Sequence, residues 1–191
     1  MPKQKITKEM VVNAAFELAR DGGMEQVLVK NIAGSLGCSV QPVYSYLKNM
    51  KELGREVEKK AAQFVREYVT AHIDQEDLFR STGRAYVELA KEEPHIFRIF
   101  VMYQREEATS LEEIYHLEAN PEMAGRIADM LHISEAGARQ LHLNMLIYTT
   151  GLGTILATAS PEIPEEEIYR QQKLAYQAFL SQAEKEREEE E

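Results

Sequence analysis

Residues 29–47 read VKNIAGSLGCSVQPVYSYL, and this stretch decides how the rest of the chain is read. Val29, Ile32, Ala33 and Leu36 recur at i, i+3, i+4 and i+7, the apolar stripe of one short helix. Gly37 follows, where a helix end favours glycine and a positive φ. Ser39 can cap a second helix, whose apolar residues Val40, Val43 and Leu47 are expected to point inward. Small Ala33 lets the two helices cross closely. Two short amphipathic helices joined by the tight turn Gly37-Cys38-Ser39 make a helix-turn-helix pattern. With its apolar stripe inward, the second helix presents Gln41, Tyr44, Ser45 and Lys48 outward at i, i+3, i+4 and i+7.

In this pattern the second helix enters the DNA major groove. Gln41 has the amide that pairs with adenine N6 and N7. Tyr44 and Ser45 can bond phosphates or base edges, and Lys48 would pair with a phosphate. Lys30, Lys51 and Arg55 extend the phosphate contacts, and Ser39 offers a hydroxyl and backbone N–H groups at the helix start. Pro42 belongs to the same surface and falls at N3, where it breaks no intrahelical bond. It removes one capping target, so Ser39 is expected to cap through the Gln41 N–H. An ordinary helical hairpin with a polar outer face fits the same residues.

Outward from this stretch, helical spacing continues. Val11, Ala14, Ala15 and Leu18 form a first helix, with Thr7 as cap, Glu9 in its first turn and Gly22-Gly23 as its stop. Asn49 can cap a helix that buries Leu53, Val57, Ala61, Phe64, Val65 and Tyr68. The spacing then predicts a helix from about Gln75 to Glu92 through Phe79, Tyr86 and Leu89. Pro94 suits the first turn of the next, which carries Ile96, Phe97, Phe100 and Val101. After a polar stretch, Gln104 to Ser110, a short helix spans Leu111–Leu117. Asn120-Pro121 opens another with Met123, Ile127 and Leu131. Ser134 caps a long helix reaching about Thr158. A last helix runs through Ile168, Leu174, Ala175, Phe179 and Leu180. No convincing strand emerges, so the expected class is all-α.

Composition agrees with a globular chain: 191 residues, 44% hydrophobic and 28% charged. The one cysteine, Cys38, excludes an internal disulfide framework and suits a reducing, cytoplasmic setting. No signal peptide is visible at the N-terminus. Residues 1–60 hold ten Lys/Arg against seven Asp/Glu, a charge of +3, while residues 61–191 hold twelve against twenty-five, a charge of −13. A weakly basic head on an acidic body is the expectation. Gln140 to Pro161 contains no charged residue, yet His142, Asn144, Thr149, Thr150, Thr154 and Thr158 argue for a buried or interface helix, not a membrane span. His95, His116, His132 and His142 lack metal-ligand spacing, so no metal or cofactor is expected. There is no glycine-rich phosphate loop or nucleophile elbow. His142 with Glu135 or Glu162 is the best acid/base set, too improvised to suggest an enzyme.

The stretch Ile6–Ala61 resembles the N-terminal domain of the TetR (tetracycline-repressor-like) family of transcription regulators. The matching residues are Ala14-Ala15, Leu18, Gly22-Gly23, Ile32-Ala33, Gly37-Cys38-Ser39, Tyr44, Leu47 and Leu53. The sequence departs from the family pattern at Leu47, at Gln41-Pro42, at Met50 in place of a lysine, and at Leu28-Val29 where a Thr or Ser cap is usual. Lys48 and Lys51 flank Met50, and Lys30 lies near the uncapped start; these would take over the phosphate contacts. The resemblance implies a helix-turn-helix domain over residues 1–50, a connecting helix over 50–71, and a C-terminal helical bundle over 72–191 for effector binding and dimerisation. It implies a homodimer formed through the last two helices. Two recognition helices would then stand about 34 Å apart, one DNA turn.

The long uncharged helix has the small residues Thr149, Thr150, Gly151, Gly153 and Ala157, which permit close helix approach. Candidate effector-pocket residues are Tyr86, Phe100, Met102, Tyr103, His142, Met145 and Tyr148, polar or adaptable groups on apolar helices. The expected function is a sequence-specific regulator of double-stranded operator DNA, a repressor released by a small molecule. The alternative is a helical adaptor that no longer binds DNA.

Overall fold

The computed structural model describes residues 6–46, 49–74, 76–103, 108–119, 122–159 and 163–190, with side chains through residue 185. These residues form ten α-helices and one 3-10 helix, with no strand among them. The fold is all-α. The chain divides into two compact units, Met1–Ala71 with Leu89–Tyr103, and His72–Glu88 with Gln104–Glu191.

The first unit contains α1 (Lys8–Gly22), the 3-10 helix Met24–Gln26, α2 (Val29–Ser35), α3 (Val40–Tyr46) and α4 (Met50–His72), except for the last residue of α4. It also contains the end of α5 (Leu78–Glu92) and all of α6 (Pro94–Met102). Thr7 caps α1, its side chain accepting the Met10 N–H at 3.2 Å, and Gly23 closes the helix at φ 85°. Val11, Ala15 and Ala19 of α1 are fully buried, and α2, α3 and α6 pack against that helix. Leu53, Val57, Ala61 and Val65 bury one face of α4. Phe64 and Tyr68 are half-buried beside it, with Phe16 at 6.1 Å from Phe64 and Tyr68 at 6.4 Å, centroid to centroid. Arg20, in the last turn of α1, ties α6 to α1. Its guanidinium donates to both carboxylate oxygens of Glu93, the residue before Pro94, and lies 4.9 Å over the Phe64 ring.

The second unit contains most of α5, then α7 (Leu111–Glu118), α8 (Met123–Leu131), α9 (Glu135–Thr158) and α10 (Glu165–Glu190). Ser134 caps α9 by accepting the Gly137 N–H at 3.0 Å, and Ser110 caps α7 through Glu113 at 3.1 Å. Asn120-Pro121, read as the start of α8, lies outside the described residues. Helices α8 and α10 both pack on α9. Their shared core is Phe79, Ile127, Ile133, Ala138, Leu141 and Ala183. The residue that permits the α9–α10 approach is Gly137: a Cβ there would lie 3.3 Å from the Ala183 Cβ and 3.4 Å from its carbonyl oxygen. Gly151 has open space around it instead.

The apolar series along α10 includes one exposed position. Leu174 is 53% exposed, and Gln172 is buried in the helix interface. Two residues are about 200° of helical rotation, so both cannot face the same neighbour. Gln172 Nε2 donates to the Gly83 carbonyl at 3.0 Å, while its Oε1 is buried without a partner. Among the described residues no helix is long and apolar enough to cross a membrane.

Candidate nucleic-acid interface

Helices α2 and α3 pack against each other and against α1. The turn between them is set by Gly37 at φ 62°. The Gly37 N–H donates to the Gly34 carbonyl at 3.1 Å and the Cys38 N–H to the Ala33 carbonyl at 2.9 Å. This pair of bonds is the Schellman arrangement, which satisfies the last carbonyls of α2 and reverses the chain into α3. Beyond its chain neighbours, no atom of the described residues stands within 4 Å of a Cβ built on Gly37, so its requirement there is conformational and not steric. Gly37→Ala is therefore expected to cost about 1 kcal/mol, read as a lowered urea midpoint with an unchanged slope.

Ile32, Ala33 and Val43 are buried where the two helices and α1 meet. Opposite Val43, α3 exposes Gln41, Tyr44 and Ser45, with Tyr44 at 59% exposure. Lys30, Ser39 and Lys51 are exposed as well, and Pro42 is half-buried. Lys48 and Leu47 lie outside the described residues. Val40 does not point inward as expected; it is 43% exposed. The Cα–Cβ bonds of a helix tilt toward its N-terminus, so the side chain of a first residue projects past the helix end and away from the packed seam. The Ser45 hydroxyl donates to the Gln41 carbonyl at 3.0 Å, leaving its oxygen as an acceptor on the outward face.

The flanking starts differ in their capping. No side chain caps α2, whose N-cap position is Leu28. The N–H groups of Asn31 and Ile32 donate to the Leu28 carbonyl at 2.9 and 3.0 Å, and Asn31 Nδ2 reaches back to the Gln26 carbonyl at 3.0 Å. Asn49 caps α4, its Oδ1 accepting the Glu52 N–H at 2.8 Å. Lys8 Nζ sits 3.5 Å from Glu52 and 3.3 Å from Glu56, placing a cation beside two carboxylates of the first turns of α4. These carboxylates, hydrogen-bonding and attracting the ammonium, raise the Lys8 pKa.

The expected effector residues do not gather in one unit. Tyr86, His142, Met145 and Tyr148 belong to the second unit, whereas Phe100, Met102 and Tyr103 belong to the first. Met102 is 77% exposed at the last turn of α6. Phe100 and Tyr103 are half-buried with rings 6.5 Å apart. Helical spacing puts Met102 on the side of α6 away from Ile96, Phe97 and Phe100, and spacing alone cannot assign α6 to one unit. Met145 packs against the Phe79–Leu141 core, and Tyr86 and Tyr148 are half-buried.

His142 is the centre of an aromatic cluster that spacing did not reveal. Phe79 and Tyr115 meet its ring nearly edge to face, at 5.5 and 5.2 Å between centroids. Burial pushes the imidazole pKa down to about 4 and raises that of the Tyr115 phenol. Tyr115 thus keeps its proton, and its hydroxyl shares a 3.0 Å hydrogen bond with His142 Nδ1. Tyr176 stands 6.0 Å from Phe79, and Arg80 lies 5.9 Å from the Tyr176 ring.

A small pocket of about 150 Å³ opens in the same unit, lined by Leu78, Phe79, Met123, Arg126, Ile127 and Met130. None of these was an expected site residue. The signal was present on α8, where Met123, Ile127 and Met130 fall at i, i+4 and i+7; it reads equally as a core stripe. Among the described residues no three His, Cys, Asp or Glu side chains gather as a metal site. No family model matches the chain, and no curated protein matches it.

Proposed function

We propose that the chain is a sequence-specific DNA-binding regulator of the TetR type, a repressor whose second unit receives a small-molecule effector and pairs with a second copy. The observation that carries this reading is the outward face of α3: Gln41, Tyr44 and Ser45 exposed opposite buried Val43, on a helix held to α2 by the positive-φ turn at Gly37. A short helix supported from behind, carrying an amide, a phenol and a hydroxyl, suits a groove reader. Lys30 and Lys51 supply exposed cations nearby in sequence, and Lys48 adds a third by composition.

One such helix makes few base contacts, so a two-fold pair is needed for specificity. The uncharged outer face of α9, with Ile147, Gly151, Thr154 and Ile155 exposed, and Leu174 on α10 are the surface we assign to that pairing. An effector acts by binding more tightly to a state in which the two α3 helices no longer match successive turns of the duplex.

The test is titration of labelled DNA from upstream of the gene at two salt concentrations. Specific binding is expected to weaken steeply with salt, by a slope of about 0.9 per phosphate contact. Lys30→Gln, Lys48→Gln and Lys51→Gln together are expected to flatten that slope and weaken binding to all sequences alike. Equal, weak binding of the unmodified protein to every duplex would overturn the regulator reading and favour the adaptor.

A further inference from the structure

We infer that the pocket beside α8 binds a small organic anion, a carboxylate on a compact apolar body such as a single aromatic ring. This rests on the effector reading above and names the class of effector. The floor of the pocket is Phe79 and Ile127, both buried and both members of the second unit's core. Leu78, Met123 and Met130 complete an apolar lining, and the two methionines provide polarizable, adaptable walls. Its volume of about 150 Å³ suits one ring and little more.

Arg126 is the one charged residue among the described residues of the lining. It is exposed, and among the described residues no ion pair engages its guanidinium. No acidic residue is among the described residues that line the pocket. A planar fork of donors at the rim of an apolar recess matches a carboxylate held in two parallel hydrogen bonds. The apolar body would rest on Phe79 and Ile127 while the carboxylate stays at the wet rim. A cationic or polyhydroxylated ligand would meet the wrong charge or lose hydration against methionine and phenylalanine.

Phe79 also connects this pocket to the aromatic cluster, since its ring meets His142 edge to face and approaches Tyr176. A ring seated against Phe79 therefore adjoins α9 through His142 and α10 through Tyr176. Both helices carry the surface assigned above to pairing.

The experiment follows the methionine methyl resonances of the full-length protein during titration with sodium benzoate, in the absence of DNA. The expected result is a saturable shift of the Met123 and Met130 signals. Benzamide, neutral and of the same shape, is expected to bind at least about tenfold more weakly, as is benzoate to Arg126→Gln. Met130→Trp, which fills the recess, is expected to abolish the Met123 shift while Arg126 remains. Absence of a saturable shift at millimolar benzoate, equal binding of benzamide, or undiminished binding to Arg126→Gln would each overturn the inference. Operator binding is read separately. A protein that binds benzoate but no specific DNA keeps this site and loses the regulator reading. One that binds an operator and ignores benzoate loses this site alone.

Discussion

Val43→Asp is expected to release α3 from the first unit and abolish DNA binding. Val43 is 0% exposed, and it is the one buried residue of α3 among those described. An aspartate there buries a carboxylate with no cationic partner, a penalty on the order of 3–5 kcal/mol. The helix has seven residues, too few to persist without its packed face. Hydrogen exchange is expected to show loss of protection in α3, with the α9 and α10 amides still protected. Tyr44→Ala is the matched control. Its side chain is 59% exposed, so stability should hold within about 0.5 kcal/mol while operator affinity falls. Retained protection of α3 in Val43→Asp would refute the anchoring role of that valine.

Acid is expected to destabilise the second unit through His142. Its folded pKa, about 4, lies below the ordinary value of 6.5 because burial disfavours the imidazolium. As pH falls, the unfolded chain takes up the proton first. The contribution is complete above pH 6.5 and is lost progressively toward pH 4, by about 3 kcal/mol across that window. His142→Phe removes the titration and keeps a ring against Phe79 and Tyr115, at the cost of the Tyr115 hydrogen bond, about 1 kcal/mol. The measurement is urea unfolding across the window for both proteins. The difference between them, and not the total acid sensitivity of so acidic a chain, carries the result. A His142 ring that titrates at its ordinary value by NMR would remove the basis of the prediction.

Local chemistry was the legible part of this fold. Thr7, Asn49 and Ser134 cap their helices through the bonds that their hydroxyl and amide oxygens favour, and Gly37 takes the positive φ that its turn demands. Pro94 opens α6, and the absence of a cap at Leu28 was visible as well. These features depend on residues within one turn of each other, which a single sequence records directly. Of the proposed interface, the exposure of Gln41, Tyr44 and Ser45 followed from the position of Val43.

What spacing missed depends on distant partners or helix ends. Val40 is apolar and in register with Val43 but sits at the first position of α3, and Met102 falls on the side of α6 away from Ile96, Phe97 and Phe100. Gln172 is polar and buried because the Gly83 carbonyl is available on α5, and no local pattern encodes that. The same holds for the His142 cluster, assembled from α5, α7 and α9. Gly137 was overlooked in favour of Gly151 and Gly153 because close approach is a property of two helices, and the sequence of one does not name its partner.

The split of α5 has a practical consequence. The first unit is not a contiguous piece of chain: Leu89, Ala90, Ile96, Phe97 and Ile99 belong to it and are buried. A fragment ending at residue 71 would lack this second instalment of its core and leave Arg20 without Glu93. Grafting the first unit onto another domain therefore calls for transplanting residues 89–103 along with it, with one junction, between Glu88 and Leu89, inside the continuous helix α5.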